Sequence, residues 1–186
     1  MIAAQNYDLD PKKKTLLIFG GSQGSALLNK TVSESVKLLE KSKIQFLWQT
    51  GKNQYDQLKS FESDFTRVLP FIDDMGSAYA LADLALCRAG ALTISELTLC
   101  GVPALFVPLS NAAGDHQKKN ASVMEKEGAA IVCNEDDFTS NIFSNQVIGL
   151  LKNENQLFQM SEKSQKLGKP NAVKDITNHI MELVHA

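Results

Sequence analysis

The residues with chemistry to offer stand where apolar runs give way to small or polar turns. Gly20-Gly21-Ser22-Gln23-Gly24 follows the run at 15–19. Its glycines allow a ligand close to the backbone, and Ser22 can donate to a phosphate oxygen. Equally, the segment makes a tight strand-to-helix turn with Ser22 or Ser25 as helix cap. It has neither the G-x-G-x-x-G spacing of dinucleotide folds nor the Gly-Lys-Ser/Thr ending of a P-loop, so it names no nucleotide by itself.

A second turn, Arg88-Ala89-Gly90-Ala91-Leu92-Thr93-Ile94-Ser95-Glu96, follows the apolar run 84–87. The spacing predicts a helix that begins near Thr93 and stops at Gly101. Free N–H groups and the positive helix end suit an anion such as a diphosphate. Glu96, placed in the first helical turn, either accepts from sugar hydroxyls or complements the helix dipole. Arg88 closes a buried strand and needs a carboxylate, phosphate or carbonyl partner, because an unpaired charge there is costly.

Two further segments share this placement. In Phe71-Ile72-Asp73-Asp74-Met75 the aspartates read as caps and charge complements of the next helix, while Phe71 and Ile72 can form a flat wall for a base. No further acid or His at ligand spacing points to a metal or an acid–base pair. In the stretch 111–120, Asp115 reads as an N-cap with His116 and Gln117 in the first turn. Gln117 offers both donor and acceptor to sugar hydroxyls, and His116 reads first as structural. No Ser–His–Asp or Cys–His arrangement can be built, so no catalytic residue is assigned. His179 and His185, on a terminal helix, read as structural.

The elements that must position these groups alternate. Apolar runs at 15–19, 44–48, 66–69, 84–87, 103–107 and 129–133 read as buried strands, and amphipathic helices separate them, with three more closing the chain at 139–152, 156–167 and 172–184. Strands apolar throughout indicate an α/β fold: a Rossmann-like parallel sheet of about six strands with helices on both faces. Ligands bind such sheets beyond the strands' carboxyl ends, where all four segments fall. Residues 1–14 are polar, without periodicity and broken by Pro11, and read as a leader or interdomain segment before one domain at 15–186.

The 186 residues suffice for one well-cored domain. A formal net charge of -2 gives no support to nucleic-acid binding, and Lys12-Lys13-Lys14 reads as a solvated lead-in to the first strand. The three cysteines, Cys87, Cys100 and Cys133, lack C-x-x-C spacing and read as reduced core thiols of a cytoplasmic protein. No apolar run reaches membrane-span length, and the first residues lack the apolar h-region of a signal peptide.

In order and spacing, the four segments, together with Gly101-Val102-Pro103-Ala104, resemble the C-terminal half of the MurG family of bacterial peptidoglycan glycosyltransferases. The likeness runs from about Thr15 to the end. It implies the donor-binding half of a GT-B fold: two Rossmann-like domains facing a cleft, this one taking UDP-N-acetylglucosamine. Carried over by position, Ser22 lies at the diphosphate, Ile72 at the uracil edge with Phe71 beside it, and Ala91, Leu92 and Thr93 along sugar and phosphates. Glu96 holds the ribose hydroxyls, and Gln117, with His116, the N-acetylglucosamine hydroxyls. Ala89 stands where many members have Ser, and Asn111 and Gly114 where many have His and Asp.

The resemblance further implies an inverting hexosyltransferase that converts lipid I to lipid II with no cofactor and no essential metal at the diphosphate. Lipid I and the membrane are met through an N-terminal domain not in this sequence, and the full-length enzyme sits peripherally on the cytoplasmic face of the inner membrane. The chain alone is expected to be inactive. Alternatives are a natural single-domain subunit of a split GlcNAc transferase, a UDP-N-acetylglucosamine 2-epimerase-like isomerase, and a non-enzymatic nucleotide sensor.

Overall fold

The computed structural model describes residues 2–184, so His185 lies outside the described residues. Six short apolar strands pair in parallel: β1 (Thr15–Phe19), β2 (Gln45–Gln49), β3 (Thr66–Leu69), β4 (Leu84–Cys87), β5 (Ala104–Phe106) and β6 (Ala130–Val132). Their spatial order is β3-β2-β1-β4-β5-β6. Each strand coincides with a predicted one to within two residues, because a strand covered on both faces is built mostly of apolar side chains.

Side-chain alternation divides the core into two layers. Leu16, Ile18, Phe46, Trp48 and Leu86 face one way, against Leu28, Val32, Val36 and Leu39 of α2 (Ala26–Lys41) and Phe143, Val147 and Leu150 of α7 (Ser140–Lys152). Leu17, Phe19, Leu47, Ala85 and Phe106 face the other. There they meet Tyr79 of α4 (Met75–Leu81), Leu97 of α5 (Ala91–Cys100) and Met124 of α6 (His116–Lys126). A short α3 (Lys52–Leu58) follows β2, and α8 (Glu154–Leu167) packs along α5 and α7.

Three details depart from the sequence expectations. The segment before β1 is not featureless: α1 (Ile2–Asn6) packs on α4, Ala4 and Leu9 are buried, and the Tyr7 hydroxyl donates to the Asp74 carbonyl at 2.8 Å. Five helical residues are too few to show a period, which is why the helix was not predicted. Cys87 and Cys133 are buried, but Cys100, at the end of α5, is exposed and not a core thiol. The last helix, α9 (Ala172–Val184), buries no residue, and Val173, Ile176 and Ile180 stand exposed on it. Among the described residues no helix is long and apolar enough to cross a membrane.

Candidate functional site

β1 and β4 are neighbours at the centre of the sheet, yet α2 leaves β1 on one face and α5 leaves β4 on the other. Diverging connections at adjacent strands open a crevice beyond the carboxyl ends. Residues 20–25 and 88–93 flank that crevice.

The first flank is fixed by two interlocked turns. Gly24 has φ +75°, and a Cβ there would lie 2.0 Å from the Thr50 carbonyl oxygen; Gly51 has φ +80°, and a Cβ would lie 2.2 Å from that of Gln23. Only glycine permits both the left-handed backbone and this approach. Ser25 caps α2, accepting from the Leu28 N–H at 3.5 Å, which settles the choice between the two serines. Ser22 is exposed on the turn.

Gln49, at the end of β2, joins this turn to the next. Its Nε2 donates to the Gly21 carbonyl at 2.9 Å, and its Oε1 accepts the Ile72 N–H at 2.7 Å. A buried amide with partners on two loops fixes both. Ser22 and Phe71 thus border one cleft of about 550 Å³, with Gln23, Lys52, Pro70 and Asp73. Phe71 is 41% exposed and can act as a wall. Ile72 is 1% exposed, its side chain packed in the core, and offers only its main chain. This corrects the expectation of a two-residue wall: alternation turns Ile72 inward where it turns Phe71 outward. Asp74 caps α4 as expected, accepting the Ser77 N–H at 2.9 Å.

On the second flank, α5 starts at Ala91, two residues earlier than predicted, with Gly90 as N-cap and no side-chain cap bond. Ala91 and Leu92 are exposed, and Thr93 is half-buried. Glu96 therefore stands in the second turn, not the first, too deep to complement the helix end. It accepts instead from the Tyr79 hydroxyl at 2.7 Å. Glu96 also borders a groove of about 490 Å³ with Ile94, Val123 and Met124, distinct from the Ser22–Phe71 cleft.

Arg88 finds two of the partner types expected of it. It donates to the Val107 carbonyl at 2.8 Å and to Ser25 Oγ at 3.0 Å, and it pairs with Glu135 at 2.7 Å. Glu135, in the 3-10 turn Glu135–Asp137 after β6, also accepts the Ser110 N–H at 2.9 Å. Burial pushes the Glu135 carboxyl up, but the Ser110 hydrogen bonds and Arg88 outweigh it and hold the group below its usual range. One ion pair thus links the turn after β1, the ends of β4 and β5, and the loop after β5.

That loop leads into α6. Asp115 occupies the N-cap position at φ +55° but makes no side-chain cap bond, contrary to expectation, because side-chain capping goes with an extended backbone at that position and this one is left-handed. The His116 Nδ1 donates to the Ala113 carbonyl at 2.7 Å, and Gln117 Oε1 accepts the Leu109 N–H at 3.0 Å, leaving the Gln117 amide nitrogen as donor. Asn120 donates to the Ala89 carbonyl at 3.2 Å, holding α6 against the 88–90 turn. Gln49, Tyr79, Asn120 and Glu135 were not singled out from sequence, since each acts through a contact distant along the chain. Among the described residues no three His, Cys, Asp or Glu side chains gather as metal ligands.

Residues 15–176 match the family model of the glycosyltransferase family 28 C-terminal domain. The chain belongs to this family. Similar proteins include the "UDP-N-acetylglucosamine--N-acetylmuramyl-(pentapeptide) pyrophosphoryl-undecaprenol N-acetylglucosamine transferase" of Salinibacter ruber. The two are 40% identical over 180 residues, covering 95% of this chain and 48% of that one. The protein of the same name from Christiangramia forsetii is 35% identical over 183 residues, covering 98% of this chain and 50% of the relative. The chain thus spans about half the length of the curated relatives it matches. Among solved structures, Acinetobacter baumannii MurG aligns with a TM-score of 0.83 at 36% identity, covering 92% of this chain and 52% of that one. An S. aureus MnaA–UDP structure aligns at 0.73 with 15% identity and shares the fold alone. The six-stranded parallel sheet is the GT-B C-terminal domain fold expected from sequence.

Proposed function

We propose that this chain is the donor-binding half of an inverting transferase that moves N-acetylglucosamine from UDP to the muramoyl sugar of lipid I, giving lipid II. The observation that carries it is 40% identity, over 95% of the chain, to a relative named for that transfer. The crevice geometry agrees with it. UDP lies across the two flanks, its uracil against Phe71 and the Ile72 main chain, its diphosphate between Ser22 and the start of α5. The sugar reaches toward Thr93, His116 and Gln117, and Glu96 meets the ribose.

In such a transfer the acceptor hydroxyl attacks the anomeric carbon while the bond to UDP breaks, so negative charge grows on the departing diphosphate. The uncapped start of α5 and the Ser22 hydroxyl are fixed donors for that charge, a helix end contributing roughly 0.3–2 kcal/mol. No metal is needed in this scheme. Arg88, committed to Glu135 and two other partners, shapes the crevice and is not the diphosphate's cation. The base that deprotonates the acceptor, the acceptor site and the contact with the cytoplasmic face of the membrane belong to another part of the enzyme.

Calorimetric titration of the chain with UDP-N-acetylglucosamine, UDP-glucose and UDP, repeated on Glu96→Ala, tests this. Binding that favours the N-acetylated donor and weakens in the variant is expected, with no transfer to lipid I. Robust turnover by this chain, or equal binding by the variant, contradicts the assignment.

A further inference from the structure

Glu96 lies in the second turn of α5, out of reach of the helix-end N–H groups, so some other group must orient it. The donor found there is the Tyr79 hydroxyl, 2.7 Å from Oε2. Tyr79 is 4% exposed, and its ring meets Phe19 edge-on, with centroids 6.2 Å apart. The phenol is thus anchored in the sheet's core layer while its oxygen reaches the half-buried Glu96. A glutamate has three rotatable bonds, and holding one carboxylate oxygen fixes the plane of the group and the direction of the other. Tyr79 also sits on the helix that begins just after Phe71 and Ile72, so this hydrogen bond spans the base-side and phosphate-side walls of the crevice.

We propose that Tyr79 is a positioning residue for donor recognition: its hydroxyl holds Glu96 Oε2 so that Oε1 meets the ribose hydroxyls, and thereby sets the preference for ribonucleotides. This rests on the assignment of Glu96 to the ribose. Burial and then Glu96 both push the Tyr79 phenol up, so it stays a donor across the physiological range.

The test is titration of the chain and of Tyr79→Phe, Glu96→Ala and the double variant with UDP and 2′,3′-dideoxy-UDP. Tyr79→Phe keeps the ring against Phe19, and thermal melts verify folding of each protein. Expected is a loss of roughly tenfold in UDP affinity for Tyr79→Phe, with dideoxy-UDP binding unchanged and no further effect once Glu96 is alanine. Unchanged preference for UDP in Tyr79→Phe, while Glu96→Ala abolishes it, overturns the role of Tyr79 alone. Equal losses for both nucleotides overturn it too, since a general packing role acts on both. Should Glu96→Ala retain the preference, the ribose assignment itself fails.

Discussion

The Arg88 guanidinium lies 2.7 Å from the Glu135 carboxylate, with side chains only 13% and 16% exposed. Removing one partner leaves the other charge largely desolvated. Glu135→Ala is therefore expected to destabilise the fold by on the order of 3 kcal/mol in urea unfolding and to weaken UDP binding by releasing the Ser110 loop. A change below about 0.5 kcal/mol would place the pair among surface bridges of little consequence.

The same pair gives the protein an acid dependence. Glu135 is held below its unfolded value of about 4.5, so its contribution is complete above that pH and is lost as pH falls through the folded value. The stability difference between the native chain and Glu135→Gln should shrink as the solution is acidified below about pH 4. A difference that grows there would reverse the sign assigned to Glu135.

Gly24 and Gly21 allow a controlled comparison. Both have positive φ, but a Cβ at Gly24 would strike the Thr50 carbonyl, whereas one at Gly21 would meet nothing within 4 Å. Gly24→Ala should cost roughly 2–4 kcal/mol, with strain and clash together, and Gly21→Ala only the backbone part. Equal melting temperatures for the two variants would refute the interlocked turns.

Gln49→Leu removes the bridge between the Gly21 carbonyl and the Ile72 N–H while keeping side-chain bulk. Leaving both groups unpaired should cost roughly 1–3 kcal/mol. UDP affinity should fall as well, because the variant frees the two loops that border the Ser22–Phe71 cleft. Loss of stability with unchanged affinity would separate Gln49 from the site.

The fold was legible because each strand carries an apolar run, and because Gly101 and Gly128 mark helix ends with φ +67° and +70°. Boundaries slipped where the signal was chemical silence. α5 starts after Gly90, which has no side chain to signal a cap, so the sequence pattern points to Thr93 and sets Glu96 in the first turn instead of the second. The gathering of four loops at the strands' carboxyl ends was legible too. Which groups those loops hold was not, since the Arg88–Glu135 and Tyr79–Glu96 pairings depend on strand order, and no local pattern encodes that. Asp74 and Asp115 both read as caps from their place before a helix, yet only Asp74 caps its helix, because the Asp115 backbone is left-handed.

The most direct test of the donor site is amide NMR of the chain titrated with UDP-N-acetylglucosamine. Shifts concentrated at Ser22, Phe71, Ala91 to Thr93 and Gln117 are predicted, around the carboxyl ends of β1, β3, β4 and β5. A larger cleft, about 620 Å³, lies elsewhere and is bordered by Lys14, Asp83, Gly101 and Pro103. Shifts confined to that cleft, or none at saturating donor, would contradict the assignment.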